Sequence, residues 1–109
     1  MLTLPIKKKW FDMILSGEKK EEYREIKLYW TKRFCKALYD LELGNSTFTI
    51  YHAQGTIMFK NGYQKEAPKI KCFVELRQDY GKTEWGAEPG KEYYVLKILS
   101  VEKVDENKC

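Results

Sequence analysis

The sequence IKCFVELR at positions 70–77 places apolar side chains at alternate residues, at positions 70, 72, 74 and 76. A period of two is typical of a β-strand that buries one face and exposes the other. Further runs predict strands at 48–52, 56–60 and 93–101, and Asn61-Gly62 is a strong signal for a tight turn. Strands joined by short turns favour an antiparallel sheet in this part of the chain.

The first 41 residues alternate between strand and helix patterns. They predict, in order, a short edge strand at 1–6, a helix at 8–16 ended by Gly17, an extended segment at 19–26 and a helix at 29–41. Gly44-Asn45-Ser46 ends the second helix, and residues 80–91 form a glycine-containing loop. This order is not the strand–helix alternation of a parallel sheet. We therefore predict an α+β fold, a small antiparallel β-barrel flanked by two helices.

Length and composition favour one domain over residues 1–109, with a charged tail from about Glu102. No apolar run approaches the roughly 18 residues of a membrane span, and three lysines follow the first six residues. We therefore expect neither a signal peptide nor a membrane partner. Cys35, Cys72 and Cys109 lack CxxC spacing, which predicts reduced thiols and no metal site in a cytoplasmic protein. No cofactor motif occurs, so we expect no cofactor.

The positive charge of the chain is concentrated in its first third. Residues 1–36 carry ten basic and five acidic side chains, a net of +5, whereas residues 37–109 carry ten and eleven, a net of −1. Aromatic side chains are interleaved with the early basic ones, at Trp10, Phe11, Tyr23, Tyr29, Trp30 and Phe34. Basic residues among aromatics suit a polyanion with stackable bases. A solvated lysine face over an aromatic core is the alternative interpretation.

The sequence ILSGEKKEEYR at positions 14–24 is the densest candidate for a functional segment. A helix ends at a glycine, a lysine follows two residues later, and a strand then begins. On that strand Lys20, Glu22 and Arg24 share one face, so Glu22 can hold the guanidinium of Arg24 towards a carbonyl, a base edge or a phosphate. The alternative is an exposed ladder of charges that neutralise one another.

The pattern Gly-x-Lys-x-x-Glu-x-Arg, carried by Gly17, Lys19, Glu22 and Arg24, resembles the signature of the ASCH domain family. Members of that family are small PUA-like β-barrels related to RNA-binding modules. The resemblance covers almost the whole chain, with further similarity at Lys7, at Tyr29-Trp30, at Arg33, at 59–63, at 84–87 and at 93–98. It implies a cleft between barrel and helices, lined by the signature segment, that accepts a nucleobase or an RNA end.

One branch of the family resembles a small amidohydrolase that removes the acyl group of acetylcytidine with a threonine nucleophile and a lysine. The lysine position falls on Lys19, and the nucleophile position falls on Glu22. A carboxylate nucleophile would give an anhydride, so Glu22 would instead act as a general base on water, with Lys19 or Arg24 stabilising the oxyanion. A ribonuclease with two catalytic histidines is not supported, because His52 is the only histidine and its strand context indicates a structural role.

We predict a protein that binds RNA or a modified nucleotide in a basic cleft. The predicted contacts to phosphate or to polar base edges are Lys7, Lys19, Arg24 and Arg33; the predicted stacking residues are Tyr51, Tyr63 and Trp85; and Glu22 is predicted to bind a base amino group or hold Arg24. Trp30 lies on the apolar stripe of the second helix and is predicted to be core, although the resemblance places this helix beside the cleft. A metal-independent amidohydrolase acting on an acylated or modified cytidine-type nucleoside is the alternative. A protein-binding adaptor with a basic face ranks third.

Overall fold

The computed structural model describes residues 1–40 and 53–104 of the chain. Within these ranges its elements are β1 (Thr3–Ile6), α1 (Lys8–Leu15), β2 (Glu21–Arg24), α2 (Leu28–Ala37), β3 (Tyr39–Asp40), β4 (Ala53–Asn61), β5 (Lys69–Tyr80), a 3-10 helix (Thr83–Trp85) and β6 (Glu92–Lys103). Neither of the two α-helices in the described ranges is long and apolar enough to cross a membrane.

The described strands form one sheet in the order β1-β4-β5-β6-β2, with the two-residue strand β3 also paired to β4. The sheet curls into a half-barrel, so the predicted α+β class with two flanking helices is confirmed. All pairs are antiparallel except β1 with β4, which is parallel. The parallel pair differs from the antiparallel sheet we predicted. Helices α1 and α2 and strands β2 and β3 lie between these strands in the sequence, which provides the long connection that parallel pairing requires.

Strand β5 buries the face that its alternating pattern predicts. Ile70, Cys72, Val74 and Leu76 are all at most 1% exposed. They pack with Phe34 of α2 and with inward-facing residues of β1, β4 and β6 in one continuous core. The helices therefore cover one side of the curled sheet, and the amphipathic pattern of β5 fixes which side.

Gly17 ends α1 as predicted and turns the chain into β2. Its φ of 85° lies in the left-handed region that favours glycine, and its amide donates to Ile14 O at 3.1 Å. The next turn is closed by the amide of Lys19, which donates to Met13 O at 2.9 Å. These bonds place the Lys19 side chain against the end of α1 immediately before β2 begins.

Helix α2 is shorter than the prediction of 29–41. It ends at Ala37, Leu38 is extended, and Tyr39 then pairs with Gln54 of β4. Leu38 is buried, but it lies in the extended backbone that leads into β3 and not on a helical turn. Apolar spacing over four residues does not distinguish a helical turn from such an extended segment. The predicted Gly44-Asn45-Ser46 turn and the strand at 48–52 lie outside the described residues. At the other end of the chain, β6 continues to Lys103, which pairs with Ile70.

The two cysteines in the described ranges differ sharply in their surroundings. Cys35 is exposed on α2, whereas Cys72 is fully buried in β5, and burial raises the pKa of the Cys72 thiol to about 12. The thiolate is the reactive form, so burial and the raised pKa both slow the reaction of Cys72 in the folded protein.

In a Cys109→Ser variant at pH 8, we expect a thiol reagent to label Cys35 in the folded protein and to label Cys72 only on unfolding. Peptide mapping after timed labelling measures both rates. In urea above the unfolding transition the two rates should converge. Equal labelling rates in the folded protein would contradict the burial of Cys72.

Candidate functional site

A cleft of about 600 Å³ lies along the seam between β1 and β2, the two edge strands of the half-barrel. Its volume is within the range of small-molecule and cofactor sites. One wall comes from β1 and the opposite wall from β2. The rest comes from α2, Trp10 of α1, the loop at Trp85-Gly86, Tyr63 and Tyr93. The seam exists because the curled sheet brings its two edges together without pairing them.

The free edge of β1 presents backbone groups to this seam. Leu2 O accepts from Met58 N and Ile6 O accepts from Gly62 N, both at 2.9 Å, so the even-numbered residues from Leu2 to Ile6 direct their backbone groups towards β4. In a parallel pair the intervening residues direct their groups to the other side. The N–H and C=O of Thr3 and the C=O of Pro5 therefore face the seam. Pro5 has no N–H, which removes one donor from this edge.

The free edge of β2 is covered by two of its own side chains. The backbones of Glu21 and Tyr23 face away from β6, because Lys20 O accepts from Ile98 N and the pairing alternates along the strand; of these two residues, Tyr23 lines the cleft. Tyr23 N donates to Glu22 Oε1 at 3.2 Å, and Tyr23 O accepts from Arg24 Nη1 at 2.8 Å. Glu22 and Arg24 thus satisfy backbone groups that a neighbouring strand would otherwise bond.

Arg24 also links the two edges across the cleft. Its Nη2 lies 3.5 Å from Pro5 O, its Nη1 lies 3.3 Å from Glu22 Oε2, and its guanidinium carbon lies 5.2 Å from the centre of the Trp30 ring. The Arg24 side chain is 15% exposed and that of Glu22 is 7% exposed. The charges therefore form a partly desolvated pair that lines the cleft, and the alternative of an exposed ladder is wrong for Glu22.

Lys19 lies beneath the cleft and holds Glu22 from the opposite side. Its side chain is fully buried, and its Nζ donates to Trp85 O at 2.7 Å and lies 3.1 Å from Glu22 Oε1. The rings of Trp10 and Tyr23 flank the ammonium, with centroid distances of 4.5 and 5.1 Å. Burial lowers the pKa of Lys19, and the carboxylate of Glu22 opposes that shift. Lys19 therefore positions Glu22 and the Trp85 loop from below.

Aromatic rings and a second arginine form the wall that α2 contributes. Trp30 stacks on Phe34 with 5.8 Å between ring centroids, and Tyr29 meets Trp30 edge-on at 4.8 Å. The guanidinium carbon of Arg33 sits 3.4 Å from the centre of the Tyr29 ring, and Arg33 Nη1 donates to Tyr29 O at 3.1 Å. These contacts hold a flat cationic surface beside the cleft.

Six of the eight predicted site residues line the cleft, namely Lys7, Glu22, Arg24, Arg33, Tyr63 and Trp85. Lys19 lies below the lining instead of at the surface of the cleft. Tyr51 lies outside the described residues. The two predicted stacking residues among the lining differ in exposure, since Tyr63 is 84% exposed and Trp85 is buried. Tyr63 follows Gly62, whose φ of 94° completes the turn after β4.

Six aromatic or basic side chains line the cleft although sequence reasoning did not assign them to the site: Trp10, Tyr23, Lys27, Tyr29, Trp30 and Tyr93. Trp30 was predicted to be core because it lies on the apolar stripe of α2. It is only partly buried, with one face on Phe34 and the other towards Arg24. The interleaving of aromatic and basic residues in the first 36 positions was the available signal, although it did not show which rings face the cleft.

The cleft carries excess positive charge. Its charged lining consists of Lys7, Arg24, Lys27 and Arg33 against Glu22 and Glu25. Both carboxylates are paired. Glu22 contacts Lys19 and Arg24, and Glu25 Oε2 lies 3.0 Å from Lys27 Nζ. Across residues 1–40 and 53–104 there is no group of three or more His, Cys, Asp or Glu side chains placed to hold a metal ion.

No protein-family model, curated protein or solved structure matches the chain.

Proposed function

We propose that this protein is an ASCH-type, PUA-like domain that binds RNA or a modified nucleotide in the cleft between β1 and β2. The observation that carries the proposal is the buried Lys19–Glu22–Arg24 cluster beside aromatic walls. It holds a carboxylate and a guanidinium at fixed positions in a cleft with aromatic and positively charged walls. The positively charged lining attracts phosphate. We also propose that the protein is cytoplasmic.

The fixed carboxylate of Glu22 supports recognition of a base that carries an amino group. A carboxylate offers about four acceptor positions; Tyr23 N donates to one, and Lys19 Nζ and Arg24 Nη1 lie 3.1 and 3.3 Å from the carboxylate oxygens, so at least one position remains. The remaining position accepts an amino hydrogen, as carboxylates accept from N4 of cytosine. Beside it, the unused donors of Arg24 suit the ring nitrogen or carbonyl of the same base edge. Uracil presents a carbonyl where cytosine presents the amino group, so Glu22 disfavours it.

The test compares cytidine monophosphate with uridine monophosphate by calorimetry. We expect the wild type to bind cytidine monophosphate roughly tenfold more tightly, since a good polar contact to a base edge discriminates by about 1–3 kcal/mol. Glu22→Gln exchanges an acceptor for a mixed donor and acceptor and should remove most of that preference. Glu75→Gln is the matched control, because Glu75 pairs with Arg77 at the same spacing on β5, outside the cleft lining. Equal affinities of the wild type for both nucleotides would contradict the proposed role of Glu22.

Hydrolysis of an acylated cytidine is the second candidate function, and the position of Glu22 favours it. Glu22 lines the cleft with Lys19 and Arg24 within 3.3 Å of its oxygens. In this mechanism Glu22 removes a proton from water, the hydroxide adds to the acyl carbonyl, and the C–N bond breaks as the proton returns to the leaving amino group. The products are a carboxylic acid and cytidine. Arg24 is the cleft-lining cation that would stabilise the oxyanion.

Mass spectrometry with acetylcytidine separates the two candidates. Turnover by the wild type that falls by about 10²–10⁴ in Glu22→Gln would establish the hydrolase. Binding without turnover supports the binding function alone.

A further inference from the structure

A second groove of about 340 Å³ adjoins the cleft on the side of α2. Its described lining includes Leu2, Arg33, Lys36, Ala37 and Thr56. Leu2 and Arg33 line both the cleft and this second groove. The two spaces therefore meet at these residues, and a ligand in one can continue into the other.

Strand β1 sets the direction of this continuous path. Leu2 precedes the strand and Lys7 follows it, so they are separated by five residue steps, about 17 Å along an extended chain. Lys7 and Tyr63 lie at the far end of the cleft, because Gly62 bonds to Ile6 at the end of β1. The second groove joins at the Leu2 end. The cleft and the second groove together are therefore longer than a binding site for a single base needs to be.

The junction and the second groove carry positive charge. Arg33 lies at the junction of the two spaces, and its guanidinium plane packs against the Tyr29 ring. One of its five N–H groups donates to Tyr29 O. Lys36 lies three residues further along α2, on the same side of the helix. Lys36 is exposed and forms no ion pair with residues 1–38 or 53–104, and no described residue lining the second groove is acidic. A phosphate is the ligand group that this arrangement suits.

We infer that the ligand is a single-stranded oligonucleotide rather than a free nucleoside or mononucleotide. This inference rests on the proposed function. One base occupies the cleft at Glu22 and Arg24, the next phosphate lies against Arg33, and the adjoining nucleotide enters the second groove with its phosphate near Lys36. The stacked plane of Arg33 at the junction orients the backbone between the two nucleotides.

The experiment measures affinities for cytidine monophosphate, a cytidine dinucleotide and a cytidine tetranucleotide over a range of salt concentrations. We expect the tetranucleotide to bind at least about tenfold more tightly than the monophosphate at low salt. Lys36→Gln should weaken tetranucleotide binding several-fold and leave monophosphate binding unchanged. It should also reduce the slope of log affinity against log salt by about 0.7, the value for one phosphate contact on a single strand. Arg33→Gln should produce a similar loss on the tetranucleotide.

Lys32→Gln provides the matched control, because Lys32 is exposed on α2 and lines neither space. It removes the same charge from the same helix and should leave the tetranucleotide affinity within about twofold. If mononucleotide and tetranucleotide bind equally well and Lys36→Gln behaves like Lys32→Gln, the extension into the second groove is wrong while the proposed nucleotide site stands. If none of the three nucleotides binds, the proposed function fails together with this inference.

Discussion

Replacing Lys19 by methionine is expected to lower the free energy of unfolding by about 3–5 kcal/mol, because it leaves a buried carboxylate without its main partner. Lys19 Nζ contacts Glu22 Oε1 at 3.1 Å and Trp85 O at 2.7 Å, and both bonds are lost. Methionine fills much of the space, so the loss reflects polar groups left unsatisfied rather than an empty cavity. Arg24 remains beside Glu22 but approaches the other carboxylate oxygen.

Urea unfolding followed by fluorescence measures this loss, with Lys20→Met as the control. Lys20 is exposed and adjacent in sequence, so its replacement should change the free energy of unfolding by no more than about 0.5 kcal/mol. A Lys19→Met, Glu22→Met double variant should recover part of the loss, since apolar side chains often replace a buried ion pair at little cost. A single Lys19→Met variant as stable as Lys20→Met would contradict the buried role of Lys19.

The burial of Lys19 also shows where the sequence could not predict the site. The spacing of Gly17, Lys19, Glu22 and Arg24 indicated a cluster of charged side chains next to a helix end, and in the structure Lys19 and Arg24 both contact Glu22. Lysine is almost never fully buried unless paired, so an exposed cation was the ordinary expectation for position 19. What buries it is the Trp85 loop, 66 residues away, together with Trp10 on α1. Contacts at that separation leave no periodic trace in the sequence.

The fold was predictable where a local sequence pattern determines the buried face or the end of an element. The alternating residues of β5 identified a buried strand, and Gly17 identified the end of α1. The parallel pairing of β1 with β4 was not predictable, because it depends on how two distant edges meet after the helices have packed. The open seam between β1 and β2 likewise depends on how these distant edges meet after the helices have packed. The cleft is therefore a product of tertiary closure, although most of the side chains that line it come from one short part of the chain.

Arg24 is the residue whose removal should affect ligand binding most. Its guanidinium lies between Glu22, Pro5 O and the Trp30 ring, in a position that is only 15% exposed. In such a setting a ligand contact is worth about 1–3 kcal/mol, because a truncated partner leaves polar groups unpaired. We expect Arg24→Ala to weaken binding of cytidine monophosphate roughly tenfold to a hundredfold. Arg24→Lys keeps the charge but not the planar fork, so it should restore only part of the affinity.

Arg77→Ala is the matched control for this measurement. Arg77 pairs with a glutamate two residues earlier on its strand, as Arg24 does, but its side chain is 41% exposed and lies outside the cleft lining. Its replacement should change the affinity by less than about twofold, which separates the role of Arg24 from a general loss of positive charge. Urea unfolding of Arg24→Ala, run in parallel, establishes that the variant is folded at the temperature of the binding assay. A folded Arg24→Ala protein that binds cytidine monophosphate as tightly as Arg77→Ala would show that the guanidinium only joins the two strand edges and does not contact the ligand.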